Sequence, residues 1–148
     1  MHAHVTHSEG ETGALGRQLA RRLSAGDVVL LEGPLGAGKT AFVRGLAEGL
    51  GASPDDVSSP TFTLVQFYPG RPSLQHVDLY RLTPVEVDDL ALEDLLEEAV
   101  MAIEWPDRWR HPPADAVRVF ISVIDEHSRR VEISDEVPVV PAEPVVPS

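Results

Sequence analysis

The chain has 148 residues, about the length of one domain, and 43% of them are apolar, enough for a packed core. The absence of cysteine excludes a disulfide framework, a cysteine-based zinc site and a thiol nucleophile. Twelve Lys+Arg against 24 Asp+Glu leave a net charge of −12, a field that repels phosphate backbones and argues against autonomous nucleic-acid binding.

In chain order, residues 1–8 carry His2, His4 and His7 and read as a flexible N-terminus, with metal binding as the alternative. Leu15, Leu19 and Leu23 recur every four residues after Thr12, which predicts a first helix capped by Thr12 and ended by Ala25-Gly26-Asp27. Val28 to Leu31 is a short apolar run suited to a buried strand. A glycine-rich turn, Gly33-Pro34-Leu35-Gly36-Ala37-Gly38-Lys39-Thr40, follows it. Phe42, Val43, Leu46, Ala47 and Leu50 then share one helical face, with Gly51 as the stop.

Thr61 to Phe67 and Leu74 to Tyr80 predict two strands, paired as a hairpin around Pro69-Gly70-Arg71-Pro72-Ser73. Thr83-Pro84-Val85-Glu86 combines a capping box with proline at the first helical position and opens short acidic helices running to about Glu98. Ala99 to Ile103 is a second continuous apolar run, ending in Glu104-Trp105-Pro106. Val117 to Ile124 and Arg130 to Ser134 close the domain as two strands. Residues 135–148 place Pro138, Pro141, Pro144 and Pro147 at every third position, the period of polyproline II, and read as a disordered tail, with a PxxP ligand as the alternative. The expected organisation is one α/β domain over residues 9–134, in three layers around a mixed, mainly parallel sheet. No apolar run is long enough to span a bilayer and MHAHVTHSEGE contains no apolar core of a signal peptide, so the expected location is cytoplasmic.

Residues 33–40 fit the pattern GxxxxGK[ST], a match expected by chance about once in 200 chains of this length. An apolar strand before it and an amphipathic helix after it are the context this phosphate cradle requires. Gly33, Gly36 and Gly38 free the backbone to aim N–H groups at phosphate oxygens. The following helix points its positive end at the same anion. Lys39 is placed to reach the β- and γ-phosphates and the Thr40 hydroxyl to ligate Mg²⁺. Lys39 is also the only lysine, so the Asn-Lys-x-Asp motif that reads guanine is absent and ATP is the favoured nucleotide.

A P-loop of this kind needs a carboxylate beside the metal. Glu104, at the end of an apolar strand, and Asp78, in His76-Val77-Asp78-Leu79-Tyr80-Arg81, are the two candidates. Ser59-Pro60-Thr61-Phe62-Thr63 reads either as a switch-like loop offering the Thr61 hydroxyl or as a turn leading into a strand. Arg81 and Arg129 are candidate arginine fingers. Glu9 to Thr12 and Ser128-Arg129 are candidate adenine contacts.

These blocks, in the order Gly-x-Leu-Gly-Ala-Gly-Lys-Thr, Ser-Pro-Thr-Phe-Thr-Leu-Val, His-x-Asp-Leu-Tyr-Arg-Leu and Glu-Trp, resemble the TsaE family of small P-loop ATPases required for threonylcarbamoyladenosine modification of tRNA. The resemblance covers about residues 9–134 and implies a P-loop NTPase-like fold. It implies that Gly33 to Ala41 bind ATP, that Thr40 and Glu104 hold Mg²⁺, that Asp78 is an essential acid, and that Thr61 belongs to a switch-like loop. Trp105 would lie near the nucleotide. The implied activity is a weak ATPase, stimulated by the partners TsaB and TsaD, that resets their complex. The charge of −12 leaves tRNA binding to those partners, and the isolated protein is expected to be a monomer. Pro34, Ala41 and Pro106-Asp107 depart from the family pattern without removing a phosphate-binding element. The alternatives are a P-loop small-molecule kinase, which the acidic segment from Glu86 to Glu98 disfavours for anionic acceptors, and a nucleotide-sensing switch protein.

Overall fold

The computed structural model describes residues 2–34, 36–52, 65–95 and 98–134. Its elements are β1 (His2–Thr6), α1 (Glu9–Ala20), β2 (Val28–Glu32), α2 (Lys39–Gly49), β3 (Val65–Tyr68), β4 (Ser73–Asp78), α3 (Pro84–Asp89), β5 (Ala99–Glu104), β6 (Val117–Val123) and β7 (Arg129–Ile133). Single 3-10 turns cover Leu92–Leu95 and Pro106–Arg108. The seven strands form one sheet in the order β1-β7-β6-β2-β5-β4-β3. The central four, β6-β2-β5-β4, run parallel, and β7, β1 and β3 add antiparallel pairs at the two sides. The expected mixed α/β sheet is therefore what the chain builds.

Period-two alternation divides the core into two layers. Val29 and Leu31 of β2 and Val100 and Ala102 of β5 face α1 and α2, packing on Leu19, Phe42, Val43 and Leu46. Val28, Leu30, Met101 and Ile103 face the other way, onto Val87 of α3, Leu92 and Trp109. β5 is buried at every position, as a central parallel strand covered on both faces must be. The α1–α2 pair crosses so closely that a Cβ on Gly45 would overlap the Gly13 backbone and one on Gly16 the Phe42 carbonyl. Among the described residues no helix is long and apolar enough to cross a membrane.

Two expectations at the N-terminal end are corrected. Residues 2–6 are not loose: they form β1, an edge strand paired along its whole length with β7. The physical reason is that β7 would otherwise present a row of open backbone groups, and Val5 and Thr6 are β-branched residues suited to cover it. Helix α1 is capped by Ser8, not Thr12: the Ser8 hydroxyl accepts the Glu11 amide at 3.1 Å, and the Glu11 carboxylate accepts the His7 amide at 2.7 Å. Ser8 lies four residues upstream, at the boundary where α1 leaves β1, so Thr12 is already inside the helix. There it is buried and its hydroxyl meets that of Thr6 at 2.8 Å.

Elsewhere the elements fall close to the expected bounds. The β3–β4 hairpin and the capping box of α3 are present, with the Thr83 hydroxyl accepting the Glu86 amide and Glu86 accepting the Thr83 amide. The acidic stretch after α3 continues as the 3-10 turn Leu92–Leu95 rather than as a second α-helix. Thr61, the Ser59–Thr63 block, Leu35 and the Pro-rich tail lie outside the described residues.

Candidate functional site

The parallel strands β2, β5 and β4 end at one edge of the sheet, and the site is built there. β2 delivers the chain into Gly33, whose φ of 150° and close approach to the Ile121 carbonyl leave no room for a Cβ. Gly38, with φ of 106°, is the cap residue of α2. Such left-handed backbone is natural only to glycine, and it lets the chain reverse from strand into helix within a few residues. Lys39, the first residue of α2, is buried. Its Nζ donates to the Gly33 carbonyl at 2.6 Å and lies 4.6 Å from the centre of the Trp105 ring. Desolvation by burial holds the Lys39 ammonium below the usual lysine range, opposed by the charges of Glu104 and Asp78.

The two carboxylates are brought together by strand register. Asp78 ends β4 and Glu104 ends β5, and the two stand directly opposite each other in the parallel ladder. With period-two alternation they point to the same face as Val100 and Ala102, the face that α2 covers. Glu104 is buried, and its Oε2 accepts a 2.6 Å hydrogen bond from Nε2 of the fully buried His76. Asp78 is half-buried and its Oδ1 accepts the Tyr80 amide at 2.9 Å. Burial pushes the Asp78 carboxyl above its usual range, and the neighbouring Glu104 charge adds to the effect, against the Tyr80 amide, His76 and Lys39.

A cavity of about 720 Å³ lies over the glycine turn and the start of α2. Gly36, Gly38, Lys39, Thr40 and Ala41 form its floor, and Glu104 borders it. Its far wall comes from His7, Glu9 and Thr12 on one side and Glu126, His127 and Arg129 on the other, so both candidate base-contacting segments border the same space. β1 therefore matters to the site, because its end sets where His7 and Ser8 stand. Asp78 is not among the residues bordering this cavity; it approaches through its register partner Glu104 and the field it exerts on Lys39.

Trp105 is placed differently from its neighbour Glu104. It holds a left-handed backbone conformation, φ 62° and ψ 54°, unusual for a bulky residue, and its ring stands 4.8 Å from that of Tyr80. It borders a second cavity, about 370 Å³, together with Pro34, Lys39, Pro106, Asp107 and Phe120. Lys39 thus separates the two cavities. Of the arginine candidates, Arg129 is a brace: its guanidinium donates to the carbonyls of Ala37 (3.1 Å), Asp125 (2.9 Å) and Ser128 (3.0 Å), tying the β6–β7 turn to the glycine turn. Arg81 is exposed beside Tyr80.

Among the described residues no three His, Asp or Glu side chains cluster as a self-contained metal site. A small hard cation at a phosphate site takes a hydroxyl, one or two carboxylates and phosphate oxygens. Thr40, Glu104 and Asp78 supply that donor chemistry at one edge of the sheet.

His76 opens the His-x-Asp block, but the sequence pattern alone does not mark it as a site residue. Position i and i+2 of a strand share a face, and that spacing was the available signal. The partner, Glu104, is 28 residues away and becomes a neighbour only through the β4–β5 pairing.

Comparison with known proteins gives the family and agrees with the fold. The profile of the family described as "Threonylcarbamoyl adenosine biosynthesis protein TsaE" matches residues 6–131. The chain is 46% identical over 126 residues to the tRNA threonylcarbamoyladenosine biosynthesis protein TsaE of Nostoc sp., covering 81% of this chain and 77% of that one. It is 39% identical over 133 residues to the TsaE protein of Treponema pallidum, covering 88% of this chain and 98% of that one. The crystal structure of YdiB from Bacillus subtilis superposes with a TM-score of 0.70 at 30% identity, over 88% of this chain and 82% of that one. Fold, glycine turn and matched length together define an α/β nucleotide-binding protein. More particularly, the chain belongs to the TsaE family, whose role is in threonylcarbamoyladenosine biosynthesis on tRNA.

Proposed function

We propose that the protein binds ATP with Mg²⁺ in the 720 Å³ cavity, hydrolyses it slowly, and uses the cycle to act on the TsaB–TsaD complex in tRNA modification. The observation that carries this reading is that Lys39 and Glu104 border one cavity where the glycine turn meets α2, with Asp78 opposite Glu104 in the strand register. The backbone N–H groups of the turn and the N-terminal end of α2 bind the phosphates. Lys39 exchanges its Gly33 carbonyl partner for the phosphate oxygens, whose charge favours its ammonium form over the desolvated neutral amine. Thr40, Glu104 and Asp78 are the residues that would hold Mg²⁺, which when bound neutralises charge on the β- and γ-phosphates. Glu104, with Oε2 engaged by His76, has its other oxygen left to help hold Mg²⁺ or to orient the attacking water. Thr61 and the Pro-rich tail enter this reading only through the sequence.

With Arg129 engaged by backbone carbonyls, this reading assigns the arginine over the γ-phosphate to a partner. A partner that supplies or orders such a group is worth about 10³–10⁵ in rate, which accounts for slow turnover alone and stimulation by partners. The decisive experiment measures phosphate release with and without TsaB–TsaD, beside a tRNA modification assay. Full-speed turnover with no response to the partners overturns the gating. Glu104→Ala keeps metal-free ATP binding and loses about 10²-fold or more of Mg²⁺-dependent hydrolysis; unchanged hydrolysis removes Glu104 from the site.

A small-molecule kinase is the second reading, favoured by the apolar cavity across Lys39 as an acceptor pocket. Product analysis separates the two, since a hydrolase releases inorganic phosphate and a kinase yields a phosphorylated metabolite.

A further inference from the structure

We infer that His76 is a positioning residue that fixes the rotamer of Glu104 and thereby sets the affinity of the nucleotide site for its divalent cation. The inference rests on the proposed role of Glu104 and adds a residue to it. His76 is fully buried in β4, and its side chain's only hydrogen bond among the described residues runs from Nε2 to Glu104 Oε2 at 2.6 Å. A carboxylate oxygen accepts, so Nε2 is the donor, and Nδ1 is buried without a partner among the described residues.

The register explains how the pair forms. His76 stands opposite Ala102, and Glu104 lies two residues further along β5, opposite Asp78. Diagonal neighbours of this kind are within reach of long side chains. The small side chain of Ala102 leaves the space in which Glu104 folds back onto the imidazole. One carboxylate oxygen is thereby taken up, and Oε1 alone remains for the cavity that Glu104 borders. The Glu104 carboxylate is the one hydrogen-bond partner of this imidazole among the described residues, and an apolar residue would fill the same place in the core without leaving a bare Nδ1. Groups that orient metal ligands in this way typically change metal affinity by about 10–100-fold when removed.

The test titrates Mg²⁺ against binding of a fluorescent ATP analogue to the full chain. For His76→Leu, the metal-free affinity for the analogue stays within about 2-fold of wild type, while the Mg²⁺ concentration for half-maximal effect rises about 10-fold or more. His76→Gln, whose amide Nε2 can take the place of the imidazole donor, recovers most of that loss. In a Glu104→Ala background His76→Leu adds nothing further, because the histidine acts through the carboxylate. If the leucine variant does not fold, His76→Asn, polar but too short to reach Oε2, takes its place with the same expectation. A wild-type Mg²⁺ dependence in the leucine or asparagine variant overturns the inference, as does equal impairment of the leucine and glutamine variants, which would mark a packing role. Glu104→Ala with unaltered Mg²⁺ dependence overturns instead the parent reading of Glu104.

Discussion

Asp78 shows how the site trades stability for chemistry. Its carboxyl is pushed above the ordinary range, chiefly by burial, so the folded state holds its proton more tightly than the unfolded chain does. Stability from this group is therefore fully present at low pH and is lost as pH rises through the folded value. At neutral pH the ionised carboxylate is a cost to the fold. Asp78→Asn is expected to unfold at a higher temperature than wild type at pH 7, with the gain vanishing near about pH 3, where both forms are neutral. Thermal unfolding followed by circular dichroism across that range checks it; a gain independent of pH would assign the effect to packing. Residue types at the site were legible in the sequence where one motif holds them together, as Gly33, Lys39 and Thr40 do. The His76–Glu104 bond was not, because a side-chain pair across two strands depends on register, which residue order alone does not state.

The elements that carry the glycine turn are held by close packing of α1 on α2. Gly45 and Gly13 let the two backbones meet, and a methyl group at Gly45 would overlap the Gly13 carbonyl. Gly45→Ala is expected to cost about 2–3 kcal/mol, as overpacking of a rigid interior does. Because α2 begins at Lys39, the same change should weaken nucleotide binding. Urea denaturation and a nucleotide titration test both; an unchanged unfolding midpoint would mean that the helices separate at little cost. α2 and β5 were readable from their apolar spacing, four-residue and continuous respectively. β1 was not: His2, His4 and the small Ala3 have no periodic apolar signal, and the strand exists because β7 needs a partner. Its formation also moved the cap of α1 to Ser8, whose pairing with Glu11 three residues on was a signal within reach of the sequence.

Across the whole molecule, the charge of −12 and the family role fit together if contact with tRNA is left to the partners. The isolated protein is expected to give no shift of tRNA in a mobility assay at about 10 μM protein in low salt, where phosphate contacts would be strongest. A salt-sensitive complex under those conditions would reverse that expectation. The three-layer architecture was legible because strand and helix signals alternate along the chain. The order of strands was not, since β6 and β7 return to the β2 side while the β3–β4 hairpin extends the other.

Lys39 has a consequence for how the protein can be studied. It is the only lysine, so beyond the chain's amino terminus it is the one primary amine, and it sits between the two cavities, largely shielded from solvent. Its depressed proton affinity leaves more of it in the nucleophilic, neutral form than a surface lysine would have. An acylating reagent of modest size should modify one side chain, and saturating ATP with Mg²⁺ should protect it. Peptide mass spectrometry would then read site occupancy directly, in a mixture with TsaB and TsaD, by following the peptide that contains Lys39. The scarcity of lysine makes the protein its own occupancy reporter.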